Sequence, residues 1–172
     1  MNTMTVIEAG TRLQAVKTAP VPVLQNNFTA EPRALGQAVQ AAVDAIENAE
    51  IKPLSTDATK PFVQARAVLA LLANCYARQI YRSTEAALLA AHDSDFPWLW
   101  WEELPDARAL RRFRVENRAA VHRCLVAALR FLVEQKISAG ALTKVDGPQL
   151  AEEAGRRIIM AAFADSLELN GE

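Results

Sequence analysis

Apolar and polar residues along this chain recur with a helical period, and the clearest case is the stretch from 104 to 136, LPDARALRRFRVENRAAVHRCLVAALRFLVEQK. Projected at about 3.6 residues per turn, Leu110, Phe113, Asn117, Val121, Cys124, Ala128, Phe131 and Leu132 fall on one side. Arg108, Arg112, Arg123 and Arg130 fall nearly opposite, and Arg111 and Arg118 lie on one flank. The phase does not slip between Leu110 and Leu132, which predicts a single unbroken helix. Its apolar stripe is wide enough for burial against other helices rather than for a coiled-coil seam. Asn117 sits at the centre of that stripe. A buried amide needs hydrogen-bond partners, and a neighbouring loop is the expected source.

The same pattern places the other elements. Residues 1–30 show no sustained period, and Ala19-Pro20-Val21-Pro22-Val23 reads as extended chain, so an extended or disordered arm is expected, with a short strand near Val6–Ile7. Residues 31–172 then form one helical domain. Leu35, Ala38, Val39, Ala42, Val43 and Ile46 make an amphipathic helix ending near Ala49, and residues 51–60 are loop. Residues 61–82 carry Val68, Leu69, Leu71, Leu72, Cys75, Tyr76 and Ile80 around more than half a circumference, so this helix is expected to be central, with Thr59 as its cap. A short helix opens at Ser83 or Thr84 and runs to about Ala91. Asp95 can cap a short aromatic segment containing Trp98, Trp100 and Trp101, whose indoles are expected mainly to close the core. Gly140 can end the long helix with a positive φ. Asp146-Gly147-Pro148 opens a last helix to about Leu167, with Ala151, Ala154, Ile158, Ala161 and Ala162 on one face. The expected fold is all-α, a single orthogonal bundle of five or six helices.

Composition and charge narrow the function. The chain has 172 residues, 51% of them hydrophobic, and a net charge of −1, so nucleic-acid binding would have to come from a local patch. Such a patch exists: between Arg108 and Arg130 there are seven arginines and one acid, Glu116. Cys75 and Cys124 lie inside apolar helical patterns and read as buried free thiols in a reducing, cytoplasmic setting. No secretory leader and no membrane-spanning run are visible. His92, Asp93 and Asp95 lack a second ligand cluster, and His122 and Cys124 fall on different helix faces. Glycine-rich phosphate loops and nucleophile elbows are missing. The expectation is no enzyme, no cofactor and no metal.

The order Ser83-Thr84-Glu85, an aromatic run, Leu104-Pro105-Asp106 and Leu110-Arg111-Arg112-Phe113-Arg114 resembles the N-terminal helical domain of InsH-like bacterial insertion-sequence transposases. The resemblance covers residues 60–130. Pro105, Asp106, Leu110, Arg112, Phe113 and Arg114 carry its most specific part, and the family's small hydroxyl residue falls at Ala109. In that family the domain helps to recognise transposon ends and a DDE nuclease domain follows it. The resemblance implies a helix-turn-helix-like region in which the Ser83 helix leads and the start of the arginine helix reads double-stranded DNA through Arg108, Arg111, Arg112 and Arg118. Residues 92–105, however, make a longer connection than the usual turn. Asp146 resembles the family's first catalytic acid, but an N-cap before Pro148 is the favoured reading, because the residues after it read as a helix rather than a nuclease fold. A stand-alone relative without nuclease activity is therefore expected. The alternative is a helical protein-interaction module, in one form a homodimer, with no nucleic-acid role. The DNA reading needs Arg108, Arg111, Arg112 and Arg118 to form one positive surface free of acids; the alternative needs an exposed apolar patch.

Overall fold

A computed structural model of the protein describes residues 32–55, 61–92, 101, 103–140 and 144–171. The anticipated N-terminal arm, the Thr59 and Asp95 caps, and Trp98 and Trp100 lie outside these residues. The described elements are all helical: α1 (Pro32–Asp44), a 3-10 turn at Asn48–Glu50, α2 (Pro61–Ala77), α3 (Ser83–His92), α4 (Ala107–Glu116), α5 (Arg118–Ser138) and α6 (Gly147–Asn170). They form an all-α bundle. None of these helices is long and apolar enough to cross a membrane.

The apolar pattern explains the layering. Buried residues occupy every face of α2 from Ala67 to Ala77, because α1, α5, α3, α4 and α6 all pack on it. Leu69, Leu71, Leu72 and Tyr76 are its largest fully buried side chains. The partner helix α5 buries Val121, Cys124, Ala128 and Leu132, as the stripe predicts, and also Leu125 and Leu129 beside it, whereas Phe131 of the stripe is only partly buried. Cys75 and Cys124 are buried free thiols. Burial pushes the Cys124 thiol up to about 12, against a minor opposing pull from Arg123 and Arg66. Trp101 is partly buried against the core.

Three boundaries differ from the sequence expectation. The helix expected across residues 104–136 is divided at Asn117, which ends α4 and precedes α5 with φ −115° and ψ 28°. The phase survives because backbone bonding continues through the joint, from the Asn117 N–H to the Phe113 carbonyl and from the Val121 N–H to the Asn117 carbonyl, both at 2.9 Å. The Asn117 amide explains the departure. Its Oδ1 accepts from the Lys52 N–H at 2.7 Å, and its Nδ2 donates to the Lys52 and Phe113 carbonyls at 3.1 and 3.2 Å. The buried amide thus pairs with the expected loop and bends the helix in doing so.

The central helix stops at Ala77 rather than near Arg82. Gln79 has φ 65°, the Ile80 N–H donates to the Cys75 carbonyl at 2.8 Å, and the Gln79 N–H donates to the Tyr76 carbonyl at 3.2 Å. This is a Schellman ending with glutamine in the left-handed position normally held by glycine. The first helix ends at Asp44, before the 3-10 turn. Its C-terminal carbonyls find a partner on α2, where the Arg66 guanidinium donates to the Val43 and Ile46 carbonyls, each at 2.6 Å.

Candidate nucleic-acid interface

The division at Asn117 makes α4 a separate ten-residue helix. Leu110 and Phe113 face inward and are fully buried, which fixes the rotation of the helix. Arg108, Arg111, Arg112 and Val115 consequently lie on or beside its outer face. Asp106 caps it, its Oδ1 accepting from the Ala109 N–H at 2.6 Å. That carboxylate answers one of the N-terminal donors on which a phosphate would otherwise draw, so the side chains rather than the helix end carry the positive surface.

The four arginines singled out by sequence are placed differently from one another. Arg108 and Arg118 are exposed, with no side-chain partner among the described residues. Arg112 is exposed and donates to the Leu54 carbonyl at 3.1 Å, which leans it toward the residue 51–55 loop. Arg111 is half-buried, and Glu168 of α6 stands 3.9 Å from it, so the surface is not free of acids at that point. Glu168 also lies 3.8 Å from Arg82 and accepts from the Thr84 hydroxyl at 2.7 Å. One acid between two arginines leaves this corner with a residual positive charge. Arg82, whose side chain is 66% exposed, is a contributor that the sequence pattern did not reveal, because it read as the last turn of a longer helix. Of the other arginines opposite the stripe, Arg130 is exposed, whereas Arg123 forks onto Glu50 at 2.6 and 3.2 Å. The hydrogen bond from Arg123 holds the exposed Glu50 carboxyl below its usual range.

Arg114 turns inward and anchors α4. Its Nη1 donates to Asp165 Oδ2 at 2.7 Å and to the Tyr76 hydroxyl at 3.1 Å. Asp165 Oδ2 and Oδ1 also accept from the Ser83 hydroxyl and N–H, at 2.7 and 2.8 Å. Burial works against the charge of Arg114, but Tyr76 and Asp165 outweigh it and raise its pKa. Burial pushes the Tyr76 phenol up to about 12, with Arg114 opposing the shift. The hydroxyls of Ser83 and Thr84, expected as helix caps, both donate to α6 carboxylates instead. About two turns earlier on α6, Arg157 donates to the Tyr76 and Ala77 carbonyls at 2.9 and 2.8 Å and to Glu153 at 2.9 Å. A carboxylate at the start of α3 and a guanidinium at the end of α2 each match the helix dipole they face. Together they fix the α3–α4 pair on the core.

Asp146 is the N-cap of α6: its Oδ1 accepts from the Gln149 N–H at 2.9 Å, and Gln149 Oε1 accepts from the Asp146 N–H at 3.2 Å. His122 pairs with the Ala151 carbonyl at 2.8 Å rather than with Cys124. His92 is exposed at the end of α3, and Asp93 and Asp95 lie outside the described residues. The described residues hold no group of three or more potential metal-ligating side chains. In comparisons with known proteins, no family model, curated protein or solved structure matches the chain.

Proposed function

We propose that the protein binds double-stranded DNA through the outer face of α4 and the start of α5, in the manner of a transposase N-terminal helical domain. The observation that carries this reading is the exposure of Arg108, Arg112 and Arg118 on and just beyond a short, separately capped helix, with no acid in ion-pair contact among the described residues. A ten-residue helix is long enough to lie in a major groove. Arginine suits both phosphate contact and bidentate pairing with guanine edges, and Val115, 73% exposed beside Arg111 and Arg112, offers the apolar surface that a thymine methyl takes. The packing of α3 against α4 supports the helix-turn-helix-like arrangement that the resemblance implies.

Fluorescence anisotropy with a labelled mixed-sequence duplex at low ionic strength tests the proposal. Arg108→Ala and Arg118→Ala weaken binding and leave the melting temperature unchanged, because neither side chain supports the fold. Wild-type binding that persists in the double variant places the surface elsewhere. The second reading, a protein-interaction module, is favoured by a different feature, the outer face of α6.

A further inference from the structure

α6 is apolar on two opposite faces. Inward, Leu150, Ala154, Ile158 and Ala161 pack on the bundle, with Asp165 in the same row. Outward, Ile159, Met160, Phe163 and Leu167 are 58%, 44%, 54% and 58% exposed. Their spacing keeps them within one strip about a third of the helix circumference wide. A surface helix ordinarily turns a charged face to water. Between Ile159 and Asn170 the charged side chains are Asp165 and Glu168, and both are engaged with α3 and α4. The strip itself carries no charge over its last three turns.

We propose that this strip is the interface for a second copy of the chain, joined through antiparallel α6 helices about a two-fold axis near Phe163. The sequence of the strip is symmetric about that residue. Ile159 lies four positions before it and Leu167 four after, so an antiparallel copy sets Ile159 against the partner's Leu167 twice and Phe163 against itself. A two-fold interface requires such self-complementarity. Ala162 and Ser166, beside the strip, are small enough for close approach of the backbones. The same register brings Arg156 to the partner's helix end near Asn170, and α6 has no basic residue in its own last turn. A charged partner would gain nothing from an uncharged face, whereas a second copy meets no like charge. The exposed halves of four large side chains amount to roughly 400 Å² of apolar surface per copy. Its burial supplies about half of the roughly 800 Å² per partner of a standard interface, with the residues flanking the strip adding to it. None of this depends on the DNA reading.

Analytical ultracentrifugation of the full chain across a concentration series is the test. The wild type sediments as a monomer–dimer equilibrium. Phe163→Glu raises the dimer Kd at least 100-fold with unchanged helix content, and its melting temperature matches that of the wild type at concentrations where the wild type is monomeric, whereas Leu88→Glu, at an exposed apolar site on α3, leaves the Kd unaltered. Ile159→Lys and Leu167→Glu each weaken the dimer, and the two combined in one chain restore it, because each lysine then faces the partner's glutamate. A wild type that stays monomeric at all concentrations overturns the proposal. If Met160 is also protected from peroxide oxidation in that monomer, another part of the same chain covers the strip. A dimer that survives Phe163→Glu, or a double variant that does not recover, equally overturns the proposed pairing.

Discussion

Arginine shows how differently one residue type is used in this molecule. Arg114 is committed to a buried carboxylate, Arg66 and Arg157 to carbonyls at the ends of neighbouring helices, and Arg123 to a surface acid, whereas Arg108 and Arg118 are exposed and have no side-chain partner among the described residues. A rigid guanidinium fork suits the buried sites, because it answers several acceptors at once. Removing one member of the Arg114–Asp165 pair leaves an uncompensated buried charge. Arg114→Ala or Asp165→Ala should therefore cost about 3–5 kcal/mol in urea unfolding. Replacing both by apolar residues of similar volume should recover most of that loss. Tyr76 gives a second readout. Its folded-state pKa of about 12 stands above the ordinary 10.0, so an unfolded chain ionises first. The associated stability is complete below about pH 10 and is lost as pH rises toward 12. Burial also raises Tyr81, the only other tyrosine. Absorbance at 295 nm should show far less phenolate at pH 10 in the folded protein than in urea, and Tyr76→Phe should flatten the alkaline loss of stability.

At the level of elements, the joint between α4 and α5 is set by one side chain. Asn117→Ala would leave the Lys52 N–H and carbonyl without their partner, at a cost of about 1–3 kcal/mol by chemical denaturation. Leu72→Ala, at a fully buried position of α2, should cost about 2–5 kcal/mol. A loss under half a kcal/mol would place the core elsewhere. The helices and their buried faces were legible because apolar spacing reports burial directly, as at Leu110, Phe113, Val121 and Cys124. The boundaries were less so. Gln79 takes a left-handed conformation without glycine's signature, and the bend at Asn117 keeps the apolar phase intact, so neither leaves a mark in the pattern. Trans-helix contacts are partly legible: helical projection sets Arg114 at the edge of the apolar stripe, where a buried guanidinium needs an acid partner, but nothing local to Ser83 or Arg157 announces Asp165 or the Tyr76 carbonyl. The uncharged strip on α6 was visible in the residues, yet only the packing of the opposite face reveals that it is exposed.

The whole molecule is nearly neutral, with a net charge of −1, so any affinity for DNA must be local and steeply dependent on salt. That dependence separates a docked arginine surface from adventitious attraction, because it reports how many phosphates are engaged. The most direct test is the slope of log affinity against log salt concentration for a duplex, measured for the wild type and for the Arg108→Ala, Arg118→Ala double variant. Each phosphate contact contributes about −0.9, so three arginine contacts predict a slope near −2.7, shrinking toward −0.9 in the double variant. Absence of binding at low ionic strength, or a slope that the two substitutions leave unchanged, would contradict assignment of the DNA-binding surface to α4 and the start of α5.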